Sequence, residues 1–365
     1  MDLAHVRTPA LLVDPARLDR NIAAMAHRAQ ASAVDLRPHF KTHKSVRIAQ
    51  RQLAAGAVGL TVATVREAEA LADAGATSVM VAQPPVGAWR IERLLDVARR
   101  VELRVTVDDL DQALNLDRAA DAANVQIGVL WEVDPGLGRC GTAPGAATAA
   151  AVAAFVAQAV RLEFLGLLTF PGHAYAAADL HGVAAVAGQE REAVADTARA
   201  LAAEGLDVPV ISCGSTPTAR FMGDQPLATE QRPGNYVFND MTQVRLGVAS
   251  MDDCALSVLG TVVSRPSPTR VILDSGSKAL AAERMSSLTT TFGHVVGHPK
   301  LRVERLFEEH AILESDTPVN IPVGGRLQVV PNHACTAANL HPEMLVLDDG
   351  QVIDVWALDA RGWDS

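Results

Sequence analysis

The sequence predicts an α/β protein, a (β/α)8 barrel followed by a second, C-terminal β-rich domain. In the first two thirds of the chain, short β-rich runs alternate with longer Ala-, Leu- and Arg-rich runs of helical periodicity. This alternation stops after about Gly247, where Val, Leu and Ile runs separated by Pro and Gly take over. The 365 residues are enough for two domains of ordinary size.

The barrel is predicted over residues 15–245, because eight βα units fit the ~250 residues that such barrels usually contain. The predicted strands are residues 34–40, 57–62, 78–82, 102–107, 126–132, 162–169, 208–213 and a weaker run near Ala228. Among the helices, residues 65–74 end at Gly75, and Asp108 is predicted to cap the helix that follows it. A doubly wound open sheet is the alternative architecture.

The β-rich domain is predicted over residues 246–365, with strand-like runs at 256–263, 269–273 and 326–330. Residues 1–14 are assigned to the same domain. Their apolar run at 10–13 precedes the first barrel helix and has no partner within the βα series. The N-terminal segment is therefore expected to complete the second sheet.

Composition excludes several classes of protein. With 49% hydrophobic and 20% charged residues the chain is expected to fold rather than stay disordered. A net charge of −10 without a basic cluster argues against nucleic-acid binding. No apolar run approaches the ~20 residues of a membrane span, and no export signal is visible, so a cytoplasmic protein is predicted. The 4 widely spaced cysteines are expected to be reduced, and one is a candidate ligand.

Lys41 lies where barrel enzymes build their active sites. It stands at the end of the first predicted strand, in the string RPHFKTHK, and so is expected to line the C-terminal mouth of the barrel. Taken alone, a lysine at a strand end is more often a solvent-exposed side chain. However, this string and the upstream TPALLVDPARLDRNI closely resemble the D-threonine aldolase and D-serine dehydratase family. The barrel of that family is the alanine racemase-type, fold-type III barrel, and the resemblance implies that Lys41 binds pyridoxal 5′-phosphate as a Schiff base.

Two loops are predicted to hold the cofactor's phosphate, because phosphate sites in such barrels often follow strands seven and eight. The first loop opens a short helix, so its backbone N–H groups and two hydroxyls are expected to face outward as an anion cradle. A Gly-Ser-Thr on its own is more often an ordinary turn, but two such loops in these positions favour a site. The candidate residues are Gly214, Ser215, Thr216, Gly234, Asn235 and Tyr236.

Two further segments resemble the same family. Residues 132–141 match its E-x-D-x-G-x-x-R-x-G segment, which implies that Arg139 contacts the cofactor ring. An ion pair between Arg139 and Asp134 is the alternative. Residues 170–175 resemble the family's glycine-x-x-tyrosine loop, which makes Tyr175 a candidate cofactor contact. Tyr175 and Tyr236 are the chain's 2 tyrosines, and both lie in family-matching loops.

His333 and Cys335 are the candidate metal ligands. On an extended chain, residues two apart point to the same face, so both side chains are expected to coordinate one metal ion. A buried thiol beside an unrelated histidine is the alternative. The string PNHAC, with NLHP downstream, looks like the metal-binding strand of D-serine dehydratases. A thiolate prefers zinc, so Zn²⁺ is favoured over Mn²⁺ or Mg²⁺.

The resemblance implies a homodimeric lyase that uses pyridoxal phosphate and a divalent metal and acts on β-hydroxy-D-amino acids. Two reactions stay open: dehydration to a keto acid and ammonia, which Cys335 favours, and aldol cleavage to glycine and an aldehyde. An amino-acid racemase is disfavoured because it has no use for a metal pair. A non-catalytic pyridoxal-phosphate carrier is disfavoured because single-barrel carriers lack a second domain.

Overall fold

The structure, a computed structural model, describes residues 1–284 and 291–362. It confirms the predicted architecture of a parallel barrel and a separate, mostly β domain. The chain opens with a short 3₁₀ helix (Leu3–His5) and strand β1 (Ala10–Val13). Helix α1 (Pro15–Ala31) follows, with Pro15 at its first turn and the Asp14 carboxylate accepting from the N–H of Arg17.

The barrel strands lie between residues 35 and 231, a stretch that is described in full. They are β2 (Asp35–Leu36), β3 (Leu60–Val62), β4 (Ser78–Val81), β5 (Glu102–Val107), β6 (Ile127–Val133), β7 (Leu162–Thr169), β8 (Val210–Cys213) and β9 (Glu230–Gln231). All neighbours pair in parallel, in the order β2-β9-β8-β7-β6-β5-β4-β3. The barrel closes where β3 meets the segment after β2. Thr61 forms a β-bridge with His39, and its N–H donates to the carbonyl of Pro38 at 2.8 Å.

Helices follow the barrel strands and cover the outside of the sheet. They are α2 (Val46–Ala54), α3 (Val65–Asp73), α4 (Ala88–Ala98), α5 (Leu110–Ala123), α6 (Ala146–Val156), α7 (Leu180–Ala203) and α8 (Met241–Arg245). The predicted cap of α5 was wrong by one residue. Asp109, with extended backbone, accepts from the N–H of Gln112, whereas Asp108 accepts from the N–H of Gly141.

The first barrel strand is shorter than predicted, and the eighth lies slightly later in the chain. The run at 34–40 pairs as a strand only over Asp35–Leu36, because Pro38 has no N–H to donate and a 3₁₀ helix begins at Phe40. The eighth strand lies at Glu230–Gln231, just after the run near Ala228. These short strands leave polar loops at the C-terminal mouth of the barrel.

The second domain is built on β10 (Leu256–Ser267), β11 (Arg270–Leu273), β12 (His294–Val295), β13 (Arg302–Leu306), β14 (Ala311–Glu314), β15 (Arg326–Val330), β16 (Glu343–Asp348) and β17 (Gln351–Ala357). It also carries α9 (Ser277–Leu280) and α10 (Ala334–Asn339). As predicted, β1 joins this sheet, antiparallel to β10 and parallel to β16. A single buried apolar cluster includes Ile22 of α1 and Val258 and Val329 of the sheet, so the two domains share a core. Across residues 1–284 and 291–362, no helix has the length and apolarity that a membrane crossing requires.

Candidate active site

Lys41 lies at the C-terminal mouth of the barrel, on the 3₁₀ helix Phe40–Thr42 and not at the end of a paired strand. The ring of His39 caps this turn by accepting from the N–H of Lys41 at 3.5 Å. The partly buried Lys41 side chain adjoins two cavities. One, of about 370 Å³, lies inside the barrel mouth and is also lined by His39, Glu132, Arg139, Phe170 and Arg232. The other, of about 800 Å³, lies against the second domain and is also lined by Glu67, Glu283, Cys335 and Thr336.

The surroundings of Lys41 favour its neutral amine. Burial lowers the pKa of Lys41, and the charges of Arg139 and Arg232 lower it further, against the opposing effects of Cys335 and Glu67. A neutral amine is the form that attacks a carbonyl carbon or accepts a proton. The site therefore prepares Lys41 for covalent and base chemistry.

Arg139 faces the same cavity. Its guanidinium stacks over the Phe170 ring, 4.5 Å from the ring centroid, and pairs with the Glu132 carboxylate at 3.5 Å. The alternative pairing with Asp134 was wrong, because Asp134 accepts from backbone N–H groups of the loop 136–138. Arg139 thus presents a permanent positive charge beside Lys41.

The two predicted phosphate loops are bound to each other. The hydroxyl of Thr216 accepts from the N–H of Gly234 at 3.2 Å and from that of Tyr236 at 3.1 Å. The expectation that both hydroxyls face outward was wrong, since the Ser215 hydroxyl contacts that of Thr218 at 3.0 Å. Small hydroxyl side chains satisfy nearby backbone donors before they reach a ligand.

Gly214 and Gly234 stand where side chains do not fit. Gly214 has φ of +87°, and a Cβ there would lie 1.9 Å from the amide oxygen of Gln231. At Gly234 a Cβ would lie 2.9 Å from the Cβ of His39, the residue that caps the Lys41 turn. Both loops therefore pack closely through bare backbone, and Gly234 does so against the residue that caps the Lys41 turn, the arrangement that anion-binding loops need.

The side chains of Asn235 and Tyr236 point away from the cavity beside Lys41. Asn235 donates to the buried carboxylate of Asp240. The hydroxyl of Tyr236 accepts from the side chain of Gln52 at 2.9 Å, and burial raises the pKa of this phenol. The contribution of Tyr236 to the loops is its backbone N–H, while its ring belongs to the core.

Replacement of Gly214 by Ala tests whether this loop supports cofactor binding. We expect Gly214→Ala to lose roughly 1–2 kcal/mol of folding free energy from its positive φ, and further stability and cofactor affinity from the clash with Gln231. The matched control is Gly205→Ala, at φ of +72° with no atom within 4 Å, which should lose only the first part. Chemical denaturation and titration with pyridoxal phosphate measure both effects; equal cofactor affinity in the two variants would contradict a role for the 214 loop.

His333 and Cys335 are brought together, although by a different backbone than predicted. His333 caps helix α10 and Cys335 lies in its first turn, so the expected strand geometry was wrong. The helix begins because the backbone carbonyl of His333 accepts the first helical hydrogen bond, from Ala337. The His333 ring lies within hydrogen-bonding reach of the Cys335 thiol, and its Nδ1 contacts the Glu283 carboxylate.

Tyr175 completes this side of the site. Its ring centroid lies 6.4 Å from that of His333, and its phenol oxygen lies beside the backbone N–H and hydroxyl of Thr216. Burial raises the pKa of Tyr175, and the neighbouring charges of Cys335 and Asp240 raise it further. The tyrosine therefore connects the metal candidates with the 214–216 loop.

Several charged residues of the site were not predicted. Lys44 and Glu67 form a buried ion pair at 3.3 Å beside Lys41, and the buried Glu132 and Arg232 line the barrel-mouth cavity. Glu132 lies near the end of β6 and Arg232 just after β9, in segments that the sequence already singled out, so their positions at strand ends were an available signal. Glu67 lies within a helical pattern, and nothing in the sequence distinguished it from a surface residue.

The residues fit the two groups that the family resemblance implies. The closely packed glycines, the lowered pKa of Lys41 and the cavity beside it suit a phosphorylated aldehyde, and Oε2 of buried Glu132 has no hydrogen-bond partner in the described chain. For a metal, burial lowers the pKa of His333, but its contacts with Cys335 and Glu283 outweigh burial and raise this pKa well above its ordinary value, so this position favours a cation. Within 1–284 and 291–362, no three His, Cys, Asp or Glu side chains form a group that could hold a metal ion.

Comparison with known proteins places the whole chain among named enzymes. Residues 13–242 match the family described as alanine racemase, N-terminal domain, and residues 255–347 match the putative serine dehydratase domain. The chain is 34% identical to a D-threonine aldolase of Arthrobacter sp over 371 residues, which cover 99% of this chain and 94% of that protein. It is 33% identical to a D-threo-3-hydroxyaspartate dehydratase of Delftia sp. (strain HT23), with 99% of each covered.

A solved structure extends these matches to three dimensions. It is a D-threo-3-hydroxyaspartate dehydratase variant in which a cysteine is replaced by alanine, in a metal-free form. Its sequence is 32% identical to this chain, the TM-score is 0.90, and the alignment covers 100% of both chains. The likeness therefore includes the barrel, the second domain and their arrangement.

Proposed function

The chain belongs to the alanine racemase-type family that includes D-threonine aldolases and D-serine dehydratases, whose named members are D-amino acid lyases, and we propose that it dehydrates β-hydroxy-D-amino acids. The observation that carries this proposal is the side-by-side placement of His333 and Cys335 at the mouth that holds Lys41. The dehydratase variant described above carries alanine in place of one cysteine and is in a metal-free form, which is consistent with a thiolate ligand in that enzyme.

We assign Lys41 as the cofactor-binding residue and base. When bound, pyridoxal phosphate supplies an electron sink for negative charge at the substrate's α-carbon. Lys41 Nζ takes the α-proton, and the lowered pKa of this amine keeps it ready to do so. Because Lys41 approaches the α-carbon from one face, a single enantiomer reacts.

The other residues bind and orient. Arg139 is assigned to the cofactor ring, and its guanidinium offers hydrogen bonds without giving up a proton. The loops at 214–216 and 234–236 are assigned to the phosphate, whose oxygens would compete with the Glu190 carboxylate and the Thr216 hydroxyl for backbone N–H groups of these loops. Tyr175 closes the site between Thr216 and His333, where its ring excludes water from the α-carbon.

We assign a zinc ion to His333 and Cys335. A divalent ion there supplies a Lewis acid for the substrate's β-oxygen. Two protein donors leave coordination positions open, as in catalytic and not in structural zinc sites. In dehydration the α-proton goes to Lys41, and the Cβ–O bond breaks so that the oxygen leaves as hydroxide, which a proton converts to water. The released enamine then reacts with water, so that D-serine yields pyruvate and ammonia. We infer that the functional unit is a homodimer, on family membership.

Aldol cleavage is the second candidate, favoured by the 34% identity to a D-threonine aldolase. It requires removal of the proton from the β-hydroxyl instead of the α-carbon, after which the Cα–Cβ bond breaks, the aldehyde leaves, and the α-carbon takes up a proton to give glycine. The placement of Lys41 serves both reactions. The choice between them therefore depends on the metal site.

The ratio of products from D-threonine decides between the two reactions. We expect mainly 2-oxobutyrate and ammonia, with little glycine or acetaldehyde, because a thiolate-held zinc ion orients a leaving oxygen. Chromatography of the quenched reaction gives both yields, and L-threonine, which should not react, is the control. Predominant glycine would refute dehydration and identify an aldolase.

A further inference from the structure

Asp240 is a buried carboxylate that the reaction described above does not use. It lies between barrel strand β9 and the second domain, at the start of helix α8. Neither its type nor its position in the sequence marks it as part of a site. We propose that Asp240 is a positioning residue that couples the metal pair His333–Cys335 to the phosphate-holding loops. This proposal rests on the assigned cofactor and metal roles.

Three donors from three parts of the molecule converge on this carboxylate. Oδ2 accepts from the side-chain amide of Asn235, in the loop after β9, and from the backbone N–H of Ala334 at 2.8 Å. Oδ1 accepts from the backbone N–H of Gln243 at 3.1 Å and so caps helix α8. One side chain thus connects a phosphate loop, a helix and the backbone between the two metal donors.

The hydrogen bond from Ala334 to Asp240 matters because of where Ala334 lies in the chain. Ala334 stands between His333 and Cys335, so a shift of its N–H moves both side chains. The segment 240–242 holds the preceding residues as well. The N–H of Met241 donates to the carbonyl of Pro331, and the hydroxyl of Thr242 donates to that of Asn332 at 2.6 Å. The backbone that carries the two metal candidates is therefore held by residues at the end of the barrel as well as by the second sheet.

Two acceptor oxygens on one side chain suit this arrangement. All three partners donate, and a carboxylate accepts at both oxygens, whereas an amide at the same position directs an NH₂ group at one of the donors. Asp240 is fully buried, so water does not replace a lost acceptor. An Asp240→Asn substitution keeps the shape but breaks one of the connections.

Because Asp240 supports both the metal candidates and the phosphate loop, zinc and pyridoxal phosphate are expected to increase each other's affinity. If zinc orders the segment around Ala334, Asp240 transmits that order to Asn235 and the phosphate loop, and pyridoxal phosphate binds more tightly. By linkage, the cofactor must then increase zinc affinity by the same factor. Couplings of this kind usually change an affinity about 5–150-fold.

The coupling is measured by titrating cofactor-stripped protein with pyridoxal phosphate, followed by absorbance, with zinc chloride or with EDTA. In the unmodified protein we expect the dissociation constant to be at least about 5-fold lower with zinc. In Asp240→Asn the ratio of the pyridoxal phosphate dissociation constants measured with EDTA and with zinc should fall to about one. Zinc affinity, measured with a competing chelator, should fall ~10–100-fold, as for other residues that support a metal ligand. The matched control is Asp117→Asn, which changes a buried carboxylate that accepts from backbone N–H groups at the opposite end of the barrel, at the start of β7, and should leave both numbers unchanged.

Each outcome decides the proposal. A ratio near one in the unmodified protein, or an unchanged ratio in Asp240→Asn, overturns it. If Asp240→Asn does not fold, Asn235→Ala keeps the helix cap and the Ala334 contact but removes the link, and should also lower the ratio; a full ratio there overturns the proposal. A protein that binds neither pyridoxal phosphate nor zinc would instead refute the proposed function.

Discussion

Lys41→Ala is expected to abolish turnover of D-serine and D-threonine, by at least ~10³-fold, because it removes both the cofactor attachment and the base. In the unmodified protein, borohydride reduction should fix pyridoxal phosphate on Lys41, and peptide mass mapping should find the label there. The variant should show no label at that position. The basis is the buried amine with a lowered pKa beside the barrel-mouth cavity.

The control for this prediction is another lysine. Lys278 lies on the second domain, exposed, with its ammonium paired to Glu308 and Glu309, and Lys278→Ala should keep both label and turnover. A label mapped to Lys44 would contradict the assignment. The structure argues against that outcome, since the Lys44 ammonium pairs with Glu67 and donates to the carbonyl of Gly362 at 2.7 Å.

Much of the site could be predicted because chain order alone places loops at a barrel mouth. In a parallel barrel every strand ends at the same rim, so Lys41, Arg139 and the loops after β8 and β9 had to converge there once the strands were recognised. The resemblance supplied their roles. The placement of Lys41 did not depend on exact strand ends. The strand predicted at 34–40 pairs only over Asp35–Leu36, yet Lys41 still lies at the mouth of the barrel.

What could not be predicted depends on contacts between distant segments. His333 and Cys335 come together at the start of a helix, although the sequence argument assumed a strand, because no local pattern shows that the chain turns after His333. The link from Asp240 to Ala334 spans 94 positions along the chain. Tyr236 was assigned as a cofactor contact from its loop, but its ring lies in the core, since burial and not sequence decides where a side chain points.

Cys335→Ala is expected to remove zinc from the purified protein and to lower turnover by at least ~10²-fold, the loss expected when the Lewis acid at the β-oxygen is gone. The remaining donor, His333, does not retain the ion alone. Elemental analysis measures zinc per chain, and coupled assay of keto acid measures turnover. The absorbance of bound pyridoxal phosphate should persist at saturating cofactor, because Lys41 is unchanged.

The control replaces a different thiol. Cys254 is buried in a small apolar cluster with Met241 and Val330, so Cys254→Ala should lose some stability but keep its zinc. If the unmodified, fully active protein contains no divalent metal, then Cys335 is a packed thiol beside Thr42, whose hydroxyl lies 3.2 Å from its sulfur.

The Cys335→Asp variant tests whether the metal ligand at position 335 selects between dehydration and aldol cleavage. A carboxylate is a harder ligand than a thiolate and suits manganese or magnesium with more open coordination. With manganese added, this variant should regain metal and shift the products of D-threonine toward glycine and acetaldehyde, because a six-coordinate ion holds the β-oxygen without favouring its departure. The glycine to 2-oxobutyrate ratio should therefore rise in Cys335→Asp relative to the unmodified zinc protein. An unchanged ratio in a variant that has regained its metal would mean that residues other than the ligand at 335 select the bond that breaks.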